Sequence, residues 1–296
     1  MKGALIRLHT AVFLWGFTGV LGRAISLNEG WLVWWRMCIT AVSLWVLFYF
    51  FKSIPKISLK DFFKIASVGT VLSLHWLAFY GSIKYANVSI ALTCLSTTGL
   101  LSAIIEPLFF RRKINLYELM LGVFALAGIA LIYATNLSFS TGIYIGLLSA
   151  LLTVLVSVMN KKLIAGYAPE KITLYQLTGG FLGLSILLPV YDILFPSTQK
   201  IPQLFDWLWL ILLSWCCTVL TFLLYINALK RVSAFTVNLT LTLEPVYGII
   251  LAFAIYHENQ SLSKYFFFGF GLILVAVSLQ MFTLIRNNRK LIVNPL

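Results

Sequence analysis

Apolar runs of about 20 residues recur along the whole chain, separated by short polar segments. Each run is long enough to cross about 30 Å of hydrocarbon as an α-helix. Ten such helices are predicted, at residues 5–26, 31–51, 62–83, 88–110, 116–135, 142–160, 172–194, 206–229, 234–256 and 263–285. The connections between them are short, so no soluble domain is expected.

Composition supports the same fold class. The chain is 60% hydrophobic and 10% charged, with a mean hydropathy of +0.95, whereas a soluble domain is about 25% charged. A membrane β-barrel would show ten-residue alternating segments, which this sequence lacks. The sequence therefore predicts an all-α integral membrane protein.

The basic residues indicate an orientation. Of the 22 Lys and Arg residues, 17 fall on one side of the predicted membrane, 4 fall on the other, and Arg36 lies within a span. Because the basic side of a membrane protein is cytoplasmic, both termini are expected in the cytoplasm, with anionic lipids beside them. The net charge of +13 is explained in this way, and nucleic acid is not expected as a partner.

Ten spans divide into five and five. When a repeat has an odd number of spans, its two consecutive copies enter the membrane from opposite sides. Residues 79–91 resemble residues 225–237 at an offset of 146, with Lys84 and Lys230 at the same place. The expected fold is two inverted five-helix repeats around a central cavity. The repeats occupy residues 1–137 and 138–290, followed by a tail at residues 291–296. Inverted repeats are typical of secondary transporters.

Glu244 and Pro245 stand side by side near the centre of the ninth predicted span. A carboxylate there costs roughly 2.5–3.5 kcal/mol on insertion scales, and proline removes a backbone donor. One interpretation is a structural carboxylate beside a kink. The other is a gating or proton-sensing group in a cavity.

Aromatic and neutral polar residues in several spans are candidates for a substrate cavity. They are Trp15, His75, Trp76, Tyr80, Thr97, Asn160, Tyr225, Asn227 and Asn238. Such a lining suits a zwitterion or an amphipathic metabolite better than a multivalent anion. The alternative is that Ser, Thr and His side chains only hydrogen-bond between helices. Arg36 is expected near the outer surface, where it either snorkels to the interface or attracts an anionic group. Phe266 is expected to face lipid.

Catalytic and metal-binding patterns are not found. The four cysteines, Cys38, Cys94, Cys216 and Cys217, all fall in apolar spans, which argues against disulfides and a CxxC site. Neither a cofactor nor a metal is expected. An intramembrane enzyme would need a catalytic constellation, yet the only aspartates in the spans are Asp192 and Asp206 at the membrane edge. A receptor or assembly subunit without flux remains an alternative.

Several segments together resemble the drug/metabolite transporter superfamily, in its branch of two EamA-type repeats. In the second half these are ALKRVSAF (228–235), LTLEP (241–245), HE (257–258) and FGFGLILVAVSL (268–279); in the first half they are KYANVSIAL (84–92) and LGVFALAGIAL (121–131). The first half departs from the family pattern at Thr98-Gly99 and at Arg112, where acidic residues are expected.

The resemblance implies a basket of ten helices that works as a secondary transporter by alternating access. The expected substrates are small polar or amphipathic metabolites, such as amino acids or related compounds, exported across a bacterial inner membrane by a monomer. Nucleotide-sugars, sugar phosphates, quaternary amines or drugs are the alternative substrates.

The charge distribution gives a testable topology. Single cysteines at positions 140 and 200 are expected to react with a membrane-impermeant maleimide from outside the cell, and a cysteine at position 112 only after permeabilisation. Labelling of position 112 in intact cells would refute the orientation.

Overall fold

The computed structural model describes residues 2–51, 54–111, 113, 116–135, 137–229, 240–241 and 243–293. These residues are helical with short connections and contain no β-strand. The helices are α1 (Lys2–Ala24), α2 (Glu29–Phe50), α3 (Leu59–Tyr85), α4 (Val88–Leu95), α5 (Thr98–Phe110), α6 (Leu116–Thr135), α7 (Ser140–Ile164), α8 (Pro169–Leu194), α9 (Leu204–Ser214), α10 (Thr221–Leu229), α11 (Glu244–Tyr256) and α12 (Lys264–Val293).

Seven helical segments of the described chain are long and apolar enough to cross a membrane. They are Gly3–Ala24, Glu29–Phe50, Leu59–Tyr85, Val88–Phe110, Leu137–Ile164, Pro169–Leu194 and Leu204–Tyr225. Shorter apolar helices cover Leu119–Thr135, Glu244–Tyr256 and Lys264–Leu279. The chain is therefore an integral membrane protein. The start of the ninth predicted span, residues 234–239, lies outside the described residues.

Polar residues at the helix starts explain several boundaries. The side chains of Asn28 and Asn87 accept backbone N–H groups at the starts of α2 and α4, at 2.9 and 2.8 Å. Ser58 does the same for α3 at 3.1 Å. These bonds satisfy donors that a helix leaves unpaired in its first turn. Each helix therefore begins at the residue after its capping side chain.

Two spans are interrupted near their middle. Between α4 and α5, the N–H of Thr97 bonds to the carbonyl of Cys94 at 3.1 Å, and α5 then begins at Thr98. Before α11, the N–H of Leu243 bonds to the carbonyl of Thr240, also at 3.1 Å. The two turns are 146 residues apart in the chain.

The same offset relates two unusual helix ends. Arg111 ends α5 with φ of 53°, and His257 ends α11 with φ of 51°. Among the described non-glycine residues, only these two adopt positive φ. A left-handed residue that ends a helix is usually glycine or asparagine, so two matched exceptions indicate that the two segments fold alike.

Glycines allow α3 and α8 to touch through their backbones. A Cβ on Gly69 would lie 1.9 Å from the carbonyl oxygen of Gln176, and one on Gly180 would lie 2.6 Å from the carbonyl oxygen of Gly69. Gly179 faces Ala66 in the same way, at 2.3 Å from its Cα. Small residues permit this close approach of membrane helices. Helix α3 also packs along α7, α1 packs against α10 and α11, and α6 packs against α12.

The structure corrects one lipid-facing assignment. Phe266 on α12 is 0% exposed and belongs to an apolar cluster that includes Leu121 and Ile132 of α6. Gly128 and Gly269 bring α6 and α12 close together, since a Cβ on either would lie within 2.6 Å of the other's carbonyl oxygen. Phe266 consequently packs against α6, whereas Phe268 is 67% exposed.

The backbone contact between α3 and α8 can be tested by adding one methyl group. Gly69→Ala is expected to destabilise the protein by about 1–3 kcal/mol, because the methyl must displace backbone atoms rather than a flexible side chain. The measurement is the thermal unfolding midpoint in detergent.

Gly122→Ala is the matched control, since a Cβ there meets nothing within 4 Å. It is expected to leave the midpoint unchanged or slightly higher, because alanine favours a helix. A Gly69→Ala protein as stable as the control would show that the helices separate at little cost.

Candidate functional site

A buried arginine forms the centre of a polar cluster between α2, α3 and the segment after α9. Arg36 is 2% exposed. Its Nη1 donates to the hydroxyl of Tyr80 at 2.7 Å, and its Nε and Nη2 both donate to Oγ1 of Thr218, at 3.2 and 3.0 Å. Snorkelling of Arg36 to the interface is wrong for this reason. The side chain turns into the bundle, where hydroxyl groups accept its hydrogen bonds.

Trp76 and Tyr80 surround the same guanidinium. The Cζ atom of Arg36 lies 3.8 Å from the centroid of the Trp76 ring, a distance typical of a cation–π contact. Tyr80 is fully buried, and it has room because Gly22 lies against its ring, where a Cβ would be 2.0 Å from Cε1. Positions 76 and 80 are one helical turn apart on α3, which is why both reach Arg36.

Thr218 reaches the arginine from an irregular stretch of helix. Trp215–Leu220 forms a π-helical segment between α9 and α10, and the Thr218 hydroxyl also bonds to the Leu213 carbonyl five residues earlier, at 3.0 Å. The neighbouring Ser214 hydroxyl donates to the Arg36 carbonyl at 3.2 Å. Single-turn π-bulges are frequent at functional sites, and this one orients an acceptor toward Arg36.

Glu244 is a carboxylic acid within a predicted span that forms no ion pair with Arg36. It is half-buried. Among the described residues, no carboxylate lies within the 4.0 Å of Arg36 that defines an ion pair. Pro245 lies in the first turn of α11, where its missing N–H costs little. Glu244 is thus the first residue of the helix that follows the second interruption.

His75 belongs to a separate hydrogen-bonded group. Its Nδ1 lies 2.9 Å from the Ser149 hydroxyl, 3.0 Å from the Ser149 carbonyl and 2.7 Å from the Thr153 hydroxyl. The ring is 8% exposed. These partners on α7 give His75 a role in joining α3 to α7.

Trp15 and Tyr225 lie together in an aromatic cluster between α1 and α10. Their ring centroids are 5.5 Å apart, and Leu243 and Tyr247 pack against the same cluster. Both rings are half-buried. The cluster therefore borders the interruption before α11, and Phe222, whose ring centroid is 6.3 Å from that of Trp15, connects it to the helix that carries Thr218.

The remaining predicted residues have no described contact with the Arg36 cluster or the aromatic cluster. Thr97 is buried in the first interruption and donates to the Cys94 carbonyl at 2.6 Å. Oδ1 of Asn160 is buried and finds no hydrogen-bond partner among the described residues. The side chain of Asn227 and the whole of Asn238 lie outside the described residues.

A second polar cluster closes the end of the bundle that is predicted to face outward. Glu258 is 3% exposed, pairs with Arg23, and accepts the N–H groups of Val88 and Ser89 at the start of α4, at 3.0 and 2.8 Å. A carboxylate at a helix N-terminus is favoured by the helix dipole. A pocket of about 480 Å³ lies over this cluster, lined in part by Arg23, Tyr256 and Glu258.

Sequence reasoning missed Arg36 and Thr218 as members of one site. The signal for Arg36 was available, because an ionisable residue within a span is a functional candidate by default. Its short distance from the predicted start of the span suggested an interfacial position instead. Nothing in the sequence indicates the π-helical segment that turns Thr218 toward it.

Comparison with known proteins gives the family. The EamA-like transporter family matches residues 2–134 and, a second time, residues 140–282. An uncharacterized transporter of Haemophilus influenzae is 27% identical over 267 residues, covering 85% of this chain and 83% of the relative. The uncharacterized transporter YxxF of Bacillus subtilis is 24% identical over 257 residues, covering 84% and 80%.

The fold is also found in a crystal structure. That protein is 15% identical, and it superposes with a TM-score of 0.62 over 97% of this chain and 99% of its own. At this identity the likeness shows the fold alone. Since the two family matches cover nearly all of the sequence, this chain belongs to the EamA-like transporter family of the drug/metabolite transporter superfamily.

Proposed function

We propose that this protein is a secondary transporter that moves small polar or amphipathic metabolites across a bacterial inner membrane by alternating access. Amino acids and related compounds are the proposed substrates, and export is the proposed direction. Membership in a transporter family favours transport over catalysis.

The observation that carries this proposal is the pair of interrupted helices. The turns at Thr97 and Leu243 fall at equivalent places 146 residues apart. In each turn the N–H bonds to the carbonyl three residues back rather than four, and in a membrane such breaks in a helix are tolerated where they are buried in protein or line a cavity. Discontinuous helices at corresponding places in two halves are how many secondary transporters form a substrate site near the membrane midplane.

Internal symmetry supports an arrangement of ten spans in two inverted halves. The family matches twice, and the left-handed helix ends at Arg111 and His257 share the 146-residue offset. The packing of the two halves also corresponds. Helix α1, the first of the first half, contacts α10 and α11, and α7, the first of the second half, contacts α3, α4 and α5. An odd number of spans in each half makes the two halves inverted, with both termini in the cytoplasm as the basic residues indicate.

The chemistry of the interior favours a substrate with few charges. Arg36 is buried against the ring of Trp76, and Trp15 and Tyr225 form a second aromatic contact. Aromatic faces bind apolar and cationic groups. A single chain holds all these groups, so a monomer suffices.

Two other functions remain as alternatives. One is transport of a different substrate class, such as nucleotide-sugars, sugar phosphates, quaternary amines or drugs. The other is a receptor or assembly subunit without flux. The interrupted helices argue against it, because a broken helix loses backbone hydrogen bonds at a cost in free energy that a static bundle has no reason to incur.

Counterflow in liposomes tests the proposal and separates the alternatives. Purified protein is reconstituted in vesicles that are loaded with one unlabelled metabolite, and uptake of its labelled form is measured against protein-free vesicles. Amino acids, sugar phosphates, nucleotide-sugars and quaternary amines form the panel. Exchange of an amino acid supports the proposal, exchange restricted to another class replaces the substrate, and absence of exchange for every class contradicts transport.

Trp76 is expected to affect substrate binding through its contact with Arg36. Trp76→Phe keeps a ring but weakens the cation–π contact, so the half-saturation concentration in counterflow should rise about threefold to tenfold. Phenylalanine is preferred to alanine because Trp76 is 8% exposed, and loss of the whole ring would cost about 3–5 kcal/mol of stability. Phe268→Ala, at an exposed position, is the control and should change nothing. Equal effects of the two changes would make Trp76 ordinary packing.

Glu244→Gln distinguishes the two roles of the carboxylate. If Glu244 exchanges a proton during transport, the amide should abolish flux driven by a pH gradient and leave counterflow intact, because an amide cannot release a proton. We expect the structural outcome, in which flux and its pH dependence change less than twofold, since no other Asp or Glu stands near the middle of a predicted span to complete a relay. Flux against pH is measured in both proteins.

A further inference from the structure

We propose that Arg36 is the carboxylate-binding residue of the transport site. Its substrates then carry a carboxylate group, which the guanidinium holds while Trp76, Tyr80 and Thr218 fix its orientation. This inference rests on the proposed transport function and adds the chemical group by which substrates are selected.

The first argument is the number of unused hydrogen-bond donors. A guanidinium has five N–H donors, and three bonds to two hydroxyl groups use one donor on each nitrogen. One N–H on each terminal nitrogen is left without an acceptor in the part of the chain that the structure describes. Two donors on neighbouring nitrogens match the two oxygens of a carboxylate.

The second argument is the absence of a direct ion pair. Arg36 is 2% exposed within a membrane-spanning helix, where an arginine almost always pairs with a counter-charge. The other described ion pairs are direct: Arg23 with Glu258, Lys161 with Glu106, and Lys200 with Asp192. Arg36 differs from these because its binding partners are neutral hydroxyl groups and an indole ring.

The third argument concerns the shape of the anion. Arg36 is held on one side by the Trp76 ring at 3.8 Å and on two others by Tyr80 and Thr218. With these contacts Arg36 is 2% exposed, so its surroundings are already crowded. A flat carboxylate needs only the two remaining donors, whereas a tetrahedral phosphate with two charges would need more donors and more space.

Glu244 sets a limit on the rest of the substrate. It is half-buried and makes no ion pair among the described residues. An ionised Glu244 would repel a second negative charge on the substrate and attract an ammonium group. The substrates are therefore monocarboxylates and zwitterions rather than dicarboxylates.

The experiment uses matched probes in the same liposomes. Three series are based on the side chains of alanine, leucine and phenylalanine, each as the amino acid, its amide and the amine-free acid. Wild-type protein should exchange only forms that carry a carboxylate. Arg36→Lys keeps the charge and loses the planar fork, so the half-saturation concentration should rise about tenfold or more. Arg36→Gln should abolish exchange of these forms.

Two controls keep the result interpretable. Arg7→Gln removes the same charge from an exposed position and should behave as wild type. Size-exclusion profiles and thermal midpoints check folding. If Arg36→Gln does not fold, Arg36→Lys and Thr218→Val replace it. Thr218→Val removes the acceptor of two Arg36 hydrogen bonds. Exchange of amides as readily as acids, or folded Arg36 variants within twofold of wild type, would overturn the assignment.

A binding measurement separates this assignment from transport itself. The thermal midpoint of the wild type is measured with each probe at saturating concentration. Carboxylate probes that stabilise the wild type but not the Arg36 variant, without any exchange in liposomes, would support the binding site and contradict transport. If neither exchange nor carboxylate-dependent stabilisation occurs with any series, both proposals fail.

Discussion

A positive charge enclosed by apolar helices is the constraint that much of this interior satisfies. Removing an arginine from water is costly unless its donors find acceptors. Tyr80 supplies one acceptor and can do so because Gly22 leaves space for its ring. Thr218 supplies another because a π-helical segment changes the direction of its side chain. The glycine on α1 and the π-helical segment after α9 both accommodate one side chain on α2.

Hydropathy predicts the long apolar helices well and side-chain directions poorly. The boundaries of α2, α3 and α8 follow from apolar length and from capping residues such as Asn28, which are local properties of the sequence. The direction of Arg36 depends on where Tyr80 and Thr218 lie, and those positions come from distant parts of the chain. Phe266 was misassigned for the same reason, since only the glycine contact with α6 shows which face of α12 is buried.

The two interruptions illustrate a similar difference. Before α11, Pro245 signals a helix start, because proline is favoured in the first turn. Before α5, Thr97 and its neighbours contain no proline, so the sequence gives no equivalent signal there.

The candidate residues predicted from the sequence do not all lie at one site. Trp76 and Tyr80 meet at Arg36, and Trp15 and Tyr225 contact each other. The hydrogen bonds of His75 join two helices.

The contact between Gly69 and Gly180 constrains how the protein can move. Helix α3 lies in the first segment that matches the family and α8 lies in the second, and here the two backbones touch without intervening side chains. Packed backbones of this kind slide or separate only at the loss of many contacts. A motion that separated the two matched segments as blocks would have to break this backbone contact. A rigid body that keeps the contact intact would combine helices from both segments, so its limits would differ from those of the matched segments.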